Sequence, residues 1–218
     1  MTNIYFIRHG KTEWNLEGRY QGANGDSPLL EQSYIEIQQL IKALKSIKFD
    51  AIYSSPIKRA KDTANLINTG LNQNLDVILN DNLEEFHLGK MEGMKFTDVA
   101  VQYPEELDAF RNHPDKYDPK NINGETFQAL LKRMVPTIKK IVDQNKIDAN
   151  IIIVSHGAAL GALIHDLLGV PLKDFRKQGG LSNTSTTILE TQNGTEFELV
   201  KWNDTSYLDR IRDESDVV

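Results

Sequence analysis

Cysteine is absent from all 218 residues. Its absence excludes disulfides, thiolate metal sites and a cysteine nucleophile, while leaving the compartment open. No apolar run approaches the ~18 residues of a membrane-spanning helix. The opening Met1-Thr2-Asn3 carries no basic segment, and the apolar stretch behind it is too short for a signal peptide. A cytoplasmic protein without a membrane partner is the resulting expectation. Positive charge is in deficit: 25 Lys and Arg face 31 Asp and Glu, a net charge of −6. That balance argues against nucleic-acid binding driven by bulk electrostatics. A cationic pocket for an anionic substrate needs only a few local arginines and survives the deficit. The chain also lacks internal repeats and low-complexity tracts.

What is present suits a sizeable core. Hydrophobic residues make up 39% of the chain, and its length fits one domain within the usual range of roughly 50–250 residues. A single domain over 1–218 is expected. Apolar β-type runs at 3–8, 50–54, 76–79, 150–155 and 184–190 alternate with helical patterns, and Thr195 to Trp202 reads as a final edge strand. That alternation predicts an α/β fold, a three-layer α/β/α sandwich on a mostly parallel sheet. Ile37, Leu40, Ile41, Leu44 and Ile47 predict a helix over about 31–47. Ser55 reads as an N-cap and Pro56 as the first residue of the next helix, with Gly70 near its end. A long helix over 125–146 carries Pro136, which is expected to bend it or interrupt one hydrogen bond. Residues 86–124, broken by Pro104, Pro114 and Pro119, read as an excursion over the active face, and 209–218 as a mobile tail.

The chemistry concentrates at strand ends. The run Ile4-Tyr5-Phe6-Ile7 stops on Arg8-His9-Gly10, and Ile151-Ile152-Ile153-Val154-Ser155 stops on His156-Gly157. Carboxyl ends of strands are where open α/β sheets bind ligands, so two such pairs suggest one pocket with converging histidines. Gly10 is expected to let a ligand or backbone approach closely. The turn Ser54-Ser55-Pro56-Ile57-Lys58-Arg59 places Arg59 in the first turns of a helix, whose N-terminus favours anions. Leu83-Glu84-Glu85-Phe86 supplies carboxylates beside a glycine-rich turn, and Asn15 and Gln21 supply amides.

Taken together, RHGKTEWN (8–15), DSPLL (26–30), SSPIKRAKDTA (54–64), LEEFHLGKMEG (83–93), NGET (123–126) and SHG (155–157) resemble the histidine phosphatase superfamily. That group contains cofactor-dependent phosphoglycerate mutases and many phosphatases, and the motifs run in its order over nearly the whole chain. Leu30, Ser33 and Ile37 depart from its usual Thr, Gly and Ala, and His87 stands where Asp is common. The resemblance implies that His9 is the nucleophile and that Arg8, Arg59 and His156 form the phosphate pocket. It implies Glu85 as acid/base, with Glu84 the competitor if the register slips by one. Asn15, Gln21 and Gly157 are implied as contacts to the phosphate or its ester. His87, His113 and His165 read as structural or surface residues, and Trp14, Phe86 and Trp202 as packing.

Such a set has a chemical logic. A phosphomonoester is nearly a dianion, so a neutral imidazole attacks it without repulsion and splits one displacement into two. Arg8 and Arg59 are expected to disfavour the charged form of His9. At about 4 Å and an effective dielectric of 20, each cation–oxygen pair is worth roughly 4 kcal/mol before desolvation. The basic leaving alkoxide requires a protonated carboxyl, assigned to Glu85. Fixed cations take the place of magnesium, so neither metal nor cofactor is expected; 2,3-bisphosphoglycerate enters only in a mutase. A phosphomonoester phosphatase acting on a small phosphorylated metabolite is the leading reading. A phosphoglycerate-type mutase and a non-catalytic phosphate-binding module are the alternatives, and the oligomeric state is left open. Residues 86–125 carry five basic and eight acidic side chains with no paired-arginine cluster, and 70 residues separate Glu85 from His156. That short acidic cover favours hydrolysis over transfer back to substrate.

Overall fold

A computed structural model describes residues 1–209. Six strands, β1 (Thr2–Arg8), β2 (Ala51–Ser54), β3 (Val77–Leu79), β4 (Asn150–Ser155), β5 (Thr186–Thr191) and β6 (Phe197–Asp204), form one sheet in the order β3-β2-β4-β1-β5-β6. The first four run parallel; β5 and β6 add an antiparallel hairpin that ends the sheet. The helices are α1 (Glu13–Leu16), α2 (Glu31–Leu44), α3 (Lys58–Leu71), α4 (Phe96–Gln102), α5 (Pro104–Asn112), α6 (Phe127–Gln144) and α7 (Gly157–Leu167).

Central strands buried on both faces must be apolar at every position. In β1, Ile4 and Phe6 join the core beneath α6 and α7, while Tyr5 and Ile7 join the core beneath α2 and α3. In β4, Ile151 and Ile153 split from Ile152 and Val154 in the same way. The two-residue period of a strand thus builds both cores of the sandwich.

Helix ends follow the expectation with differences of detail. Helix α3 begins at Lys58 behind an Ile57 cap without a side-chain hydrogen bond, although the Ser55 hydroxyl still accepts from Ile57 N at 3.3 Å. Its end is made by Asn72 in the left-handed conformation (φ 52°). Gly70 instead lies against α2, where an added Cβ would sit 2.5 Å from Ile41 Cδ1. Pro136 lies on the exposed face of a continuous α6 and, having no N–H, interrupts one hydrogen bond, as expected. The excursion holds α4, α5 and short 3₁₀ turns, and it contributes Phe86, Phe110, Tyr117 and Ile122 to the core. The expected mobile tail falls mostly on 210–218, outside the described residues. Asp209 itself exchanges two hydrogen bonds with Gln39 on α2.

Chain direction locates the crevice. From β1 the chain crosses to β2 on one side, and from β4 it goes through α7 to β5 on the other. Loops leaving adjacent parallel strands in opposite directions open a cleft at their carboxyl ends.

Candidate active site

Arg8 pairs with Ser155 across β1 and β4, so His9 and His156 leave the sheet side by side. Both are buried, with ring centroids 5.2 Å apart. His9 Nδ1 lies 2.7 Å from the Gly10 carbonyl oxygen. A carbonyl only accepts, so Nδ1 holds the proton and Nε2 is left with a lone pair. That lone pair accepts from Arg59 Nε at 3.2 Å. His9 is held well below the ordinary imidazole range, first by burial, then by Arg59 and Arg8. His156 is also lowered well below that range, by burial and then by Arg59, His9 and Arg8. Both rings are therefore neutral near pH 7. The arginine effect expected from sequence is present, but burial outweighs it.

Arg59 occupies the first turn of α3, as expected. Its Nη1 donates to Gly25 O (2.7 Å) and Asp26 Oδ1 (3.0 Å), and its Nη2 to Gly22 O (2.8 Å). The 22–26 loop thereby aims Nε at His9. Arg8 is buried and donates from Nη1 to Leu181 O at 2.6 Å. Gly157 makes room for it: a Cβ there would lie 2.9 Å from Arg8 Nε. The glycine thus sets the guanidinium's position. Gly10 answers to packing, since its Cβ would meet Ser33 Cβ of α2 at 3.0 Å.

Asn15 and Gln21 share one network around Thr12. Asn15 Oδ1 accepts from Thr12 N, Thr12 Oγ1 and Asn183 Nδ2, which leaves its amide nitrogen to donate. Gln21 Nε2 donates to Thr12 Oγ1 at 2.8 Å, and its Oε1 accepts from Ser27 Oγ at 3.2 Å. One amide hydrogen of Gln21 stays uncommitted.

Glu85 closes the opposite wall. Its Oε1 accepts from Ala159 N (2.7 Å) and its own Phe86 N (2.9 Å), and its Oε2 from Ala158 N (3.1 Å). The carboxylate thus sits on the N-terminus of α7, a favoured place for an acidic group. Arg8, His9, Asn15, Gln21, Arg59 and Glu85 all line one cavity. Glu84 does not line it; its carbonyl is held by Arg133 Nη1 at 2.9 Å.

Residues 4–205 match the histidine phosphatase superfamily (branch 1). The chain belongs to that superfamily. It is 30% identical over 207 residues to phosphoglycerate mutase-like protein 4 of Arabidopsis thaliana, covering 94% of this chain and 86% of that one. It is 28% identical over 214 residues to a metal-independent phosphoserine phosphatase of the same plant, covering 97% and 85%. The solved structure of Bacillus stearothermophilus YhfR superposes with a TM-score of 0.87 at 32% identity, over 95% of this chain and 99% of that one.

This histidine phosphatase site rests on residues that sequence reasoning missed. Ser55 Oγ meets His156 Nε2 at 2.8 Å. Arg133 on α6 donates to the carbonyls of Asn82, Glu84 and Glu85 and pairs with Glu125 through both carboxylate oxygens. That clamp, with Ser155 Oγ donating to Leu83 O at 2.7 Å, holds the Glu85 loop over β4. Asn183 Nδ2 donates to His9 O at 3.1 Å and to Asn15 Oδ1 at 3.3 Å. Beside it Thr184 adopts φ 58°, a strained conformation for a β-branched residue, and donates to Arg8 O and His9 O. Only the buried polar run 182–187 hinted at that role. Arg176 was also missed: its guanidinium lies 4.9 Å from the Phe110 ring and acts electrostatically on Arg111. Counting charges within 86–125 overlooked this pairing because Arg176 arrives from beyond α7.

His87 and His113 are exposed, whereas His165 packs. His165 Nδ1 donates to Gly161 O at 2.6 Å, and its ring lies between Phe175 and Trp202. Phe86 packs on Phe110 and Phe127. Among the described residues no cluster of His, Asp or Glu is arranged to hold a metal ion, and no helix is long and apolar enough to cross a membrane.

Proposed function

We propose that this chain is a metal-independent phosphomonoester phosphatase, with 1–218 acting as one domain on a small phosphorylated metabolite. Its intermediate is a phosphohistidine on His9. The observation that carries this reading is the His9 tautomer: Nδ1–H fixed on Gly10 O, with the Nε2 lone pair presented to Arg59 in the shared cavity.

In the first half-reaction Arg59 Nε turns from His9 to a phosphoryl oxygen, and Nε2 bonds to phosphorus as the ester P–O bond breaks. The Glu85 carboxyl passes its proton to the departing alkoxide. In the second half, the Glu85 carboxylate takes a proton from water while the water oxygen bonds to phosphorus. The P–N bond breaks and returns its electron pair to Nε2. Arg8, Arg59 and His156 hold the equatorial oxygens, the role a metal ion fills in other phosphoryl-transfer enzymes. Asn15 and Gln21 contribute amide donors to the phosphate or its ester.

Two measurements test this. Enzyme quenched during turnover is expected to carry an acid-labile phosphoryl group on His9, and His9→Ala is expected to lose it along with at least ~10³-fold in turnover. Detection of phosphoserine, or of no phosphoenzyme during rapid turnover, overturns the mechanism. Hydrolysis is expected to outweigh mutase activity under the acidic cover. With 3-phosphoglycerate and catalytic 2,3-bisphosphoglycerate, fast isomerisation with negligible phosphate release would reverse that order and leave the site assignments standing.

A further inference from the structure

The two histidines of the site are held by different kinds of partner. A backbone carbonyl keeps the proton of His9 on Nδ1. His156 meets instead a side-chain hydroxyl, Ser55 Oγ, at 2.8 Å from Nε2. The two residues directly follow the ends of the adjacent parallel strands β2 and β4, whose register pairs Ser54 with Val154. Both are fully buried. The second ring nitrogen of His156, Nδ1, is buried as well and makes no hydrogen bond among the described residues. Native packing seldom leaves such an atom unanswered.

Counting protons shows which kind of group is left open. The Ser55 hydroxyl has one proton to give and two lone pairs. One lone pair accepts from Ile57 N at 3.3 Å, and His156 Nε2 is its other partner among the described residues. A neutral imidazole carries one N–H, so two arrangements compete. With the proton on Nε2, the ring donates to Ser55 Oγ; the hydroxyl proton then lacks an acceptor and Nδ1 lacks a donor. With the proton on Nδ1, Ser55 donates to Nε2, and only Nδ1–H is left open. The second arrangement strands one buried group where the first strands two, and it is preferred for that reason. Its open group is a donor. The ring stands 5.2 Å from that of His9, on a cavity lined by Arg8 and Arg59, where the acceptor to expect is an anion.

We propose that Ser55 is a positioning residue for the phosphoryl transfer: by donating to His156 Nε2 it holds the ring in the tautomer whose Nδ1–H donates to a phosphoryl oxygen. The other tautomer would set a lone pair against that oxygen and repel it. Burial and the neighbouring arginines keep His156 neutral, so the hydroxyl and not ring protonation supplies the donor. The assignment rests on the phosphatase reading above and adds which atom of His156 serves it and what selects that atom.

Proton–nitrogen NMR of the labelled, substrate-free protein reads the tautomer directly, with the His156 signals assigned by their loss in His156→Gln. Wild type is expected to show a pyrrole-type Nδ1 and a pyridine-type Nε2, and inorganic phosphate is expected to move the Nδ1 proton downfield. Ser55→Ala is expected to mix the two tautomers and leave the His9 signals in place. It is also expected to lower kcat/KM on an alkyl phosphate by about 2–12-fold, the worth of one neutral hydrogen bond. Ser55→Thr keeps the hydroxyl and is expected to restore the tautomer and most of the rate. A pyridine-type Nδ1 in wild type overturns the proposal, as does an Nδ1 proton indifferent to phosphate. A rate loss in Ser55→Ala with the tautomer unchanged makes Ser55 structural and overturns it too; so does an unchanged rate. Displaced His9 signals would trace the loss to Arg59 at the start of α3 and overturn the assignment to His156. Absence of hydrolysis and of phosphohistidine in wild type overturns the phosphatase reading; the tautomer and its response to phosphate are read without turnover, which keeps the two failures apart.

Discussion

A proton's position and a carboxylate's anchoring decide most of the chemistry at the residue scale. His9 is neutral because it is buried beside two arginines, and its reactive nitrogen is chosen by a backbone carbonyl. Glu85 is anchored by three backbone N–H groups, so Glu85→Gln does more than remove a proton donor. An amide NH₂ facing one of those donors is expected to cost about 1–3 kcal/mol of stability, measurable by denaturant titration. In activity, alkyl phosphates are expected to slow at least ~10² more than nitrophenyl phosphate, whose leaving group needs little protonation. Equal losses on both esters would make Glu85 structural. If Glu84→Gln gives the selective loss, the acid/base assignment moves by one residue, against the placement of Glu85 on the cavity wall.

Among the elements, helix ends show how local signals compete with tertiary demand. Helix α2 starts at Leu30, which offers no side-chain cap and stands where the superfamily resemblance calls for Thr. Nearby, Ser33 Oγ donates to Lys11 O at 2.6 Å and ties the helix to the segment after Gly10. Leu30→Thr is expected to satisfy an open N–H and stabilise by about 1 kcal/mol, a rise in Tm of about 2–4 °C for a chain of this size. A lower Tm would mean that Leu30 contributes more through packing than a cap supplies. Helix α6 has a different task. Its buried stripe was legible from spacing, whereas Arg133 on the same helix reaches three carbonyls of the Glu85 loop, contacts that no local pattern encodes.

For the whole molecule, the site shapes stability through linkage. His9 and His156 are depressed well below their ordinary 6.5 in the folded state. The unfolded chain therefore binds more protons below that pH, and stability falls as pH drops through about 6.5 and continues to fall below it. The slope approaches about 1.4 kcal/mol per pH unit for each histidine. His165, also lowered, acts in the same window. Asp50 and Asp204 are held below their usual 3.8, so their contribution is lost only under more acidic conditions. Denaturant titrations between pH 7 and pH 5.5 are expected to show this loss, and a His9→Gln/His156→Gln variant to show a shallower slope. A flat wild-type profile would contradict neutral, buried histidines.

The sequence by itself determined the sheet, the helices on its two faces and the residues that carry charge at strand ends. Those features follow from short-range physics: period-two apolar runs, 3.6-residue stripes, and strands that stop on His-Gly. His9, Arg59, Glu85 and His156 were legible because their motifs sit at such ends, and Asn15 because it lies in the same stretch. Only the tertiary structure decided which nitrogen of His9 carries the proton, since that depends on the Gly10 carbonyl and Arg59 meeting around one ring. It alone brought Ser55 to His156, Asn183 to His9 and Arg176 to the ring of Phe110. Those partners lie roughly 50 to 175 positions apart or in irregular segments, where no periodicity links them. Their meeting is set by the order of β4 beside β1 and by the excursion folding back over the cleft, both products of packing and not of local preference.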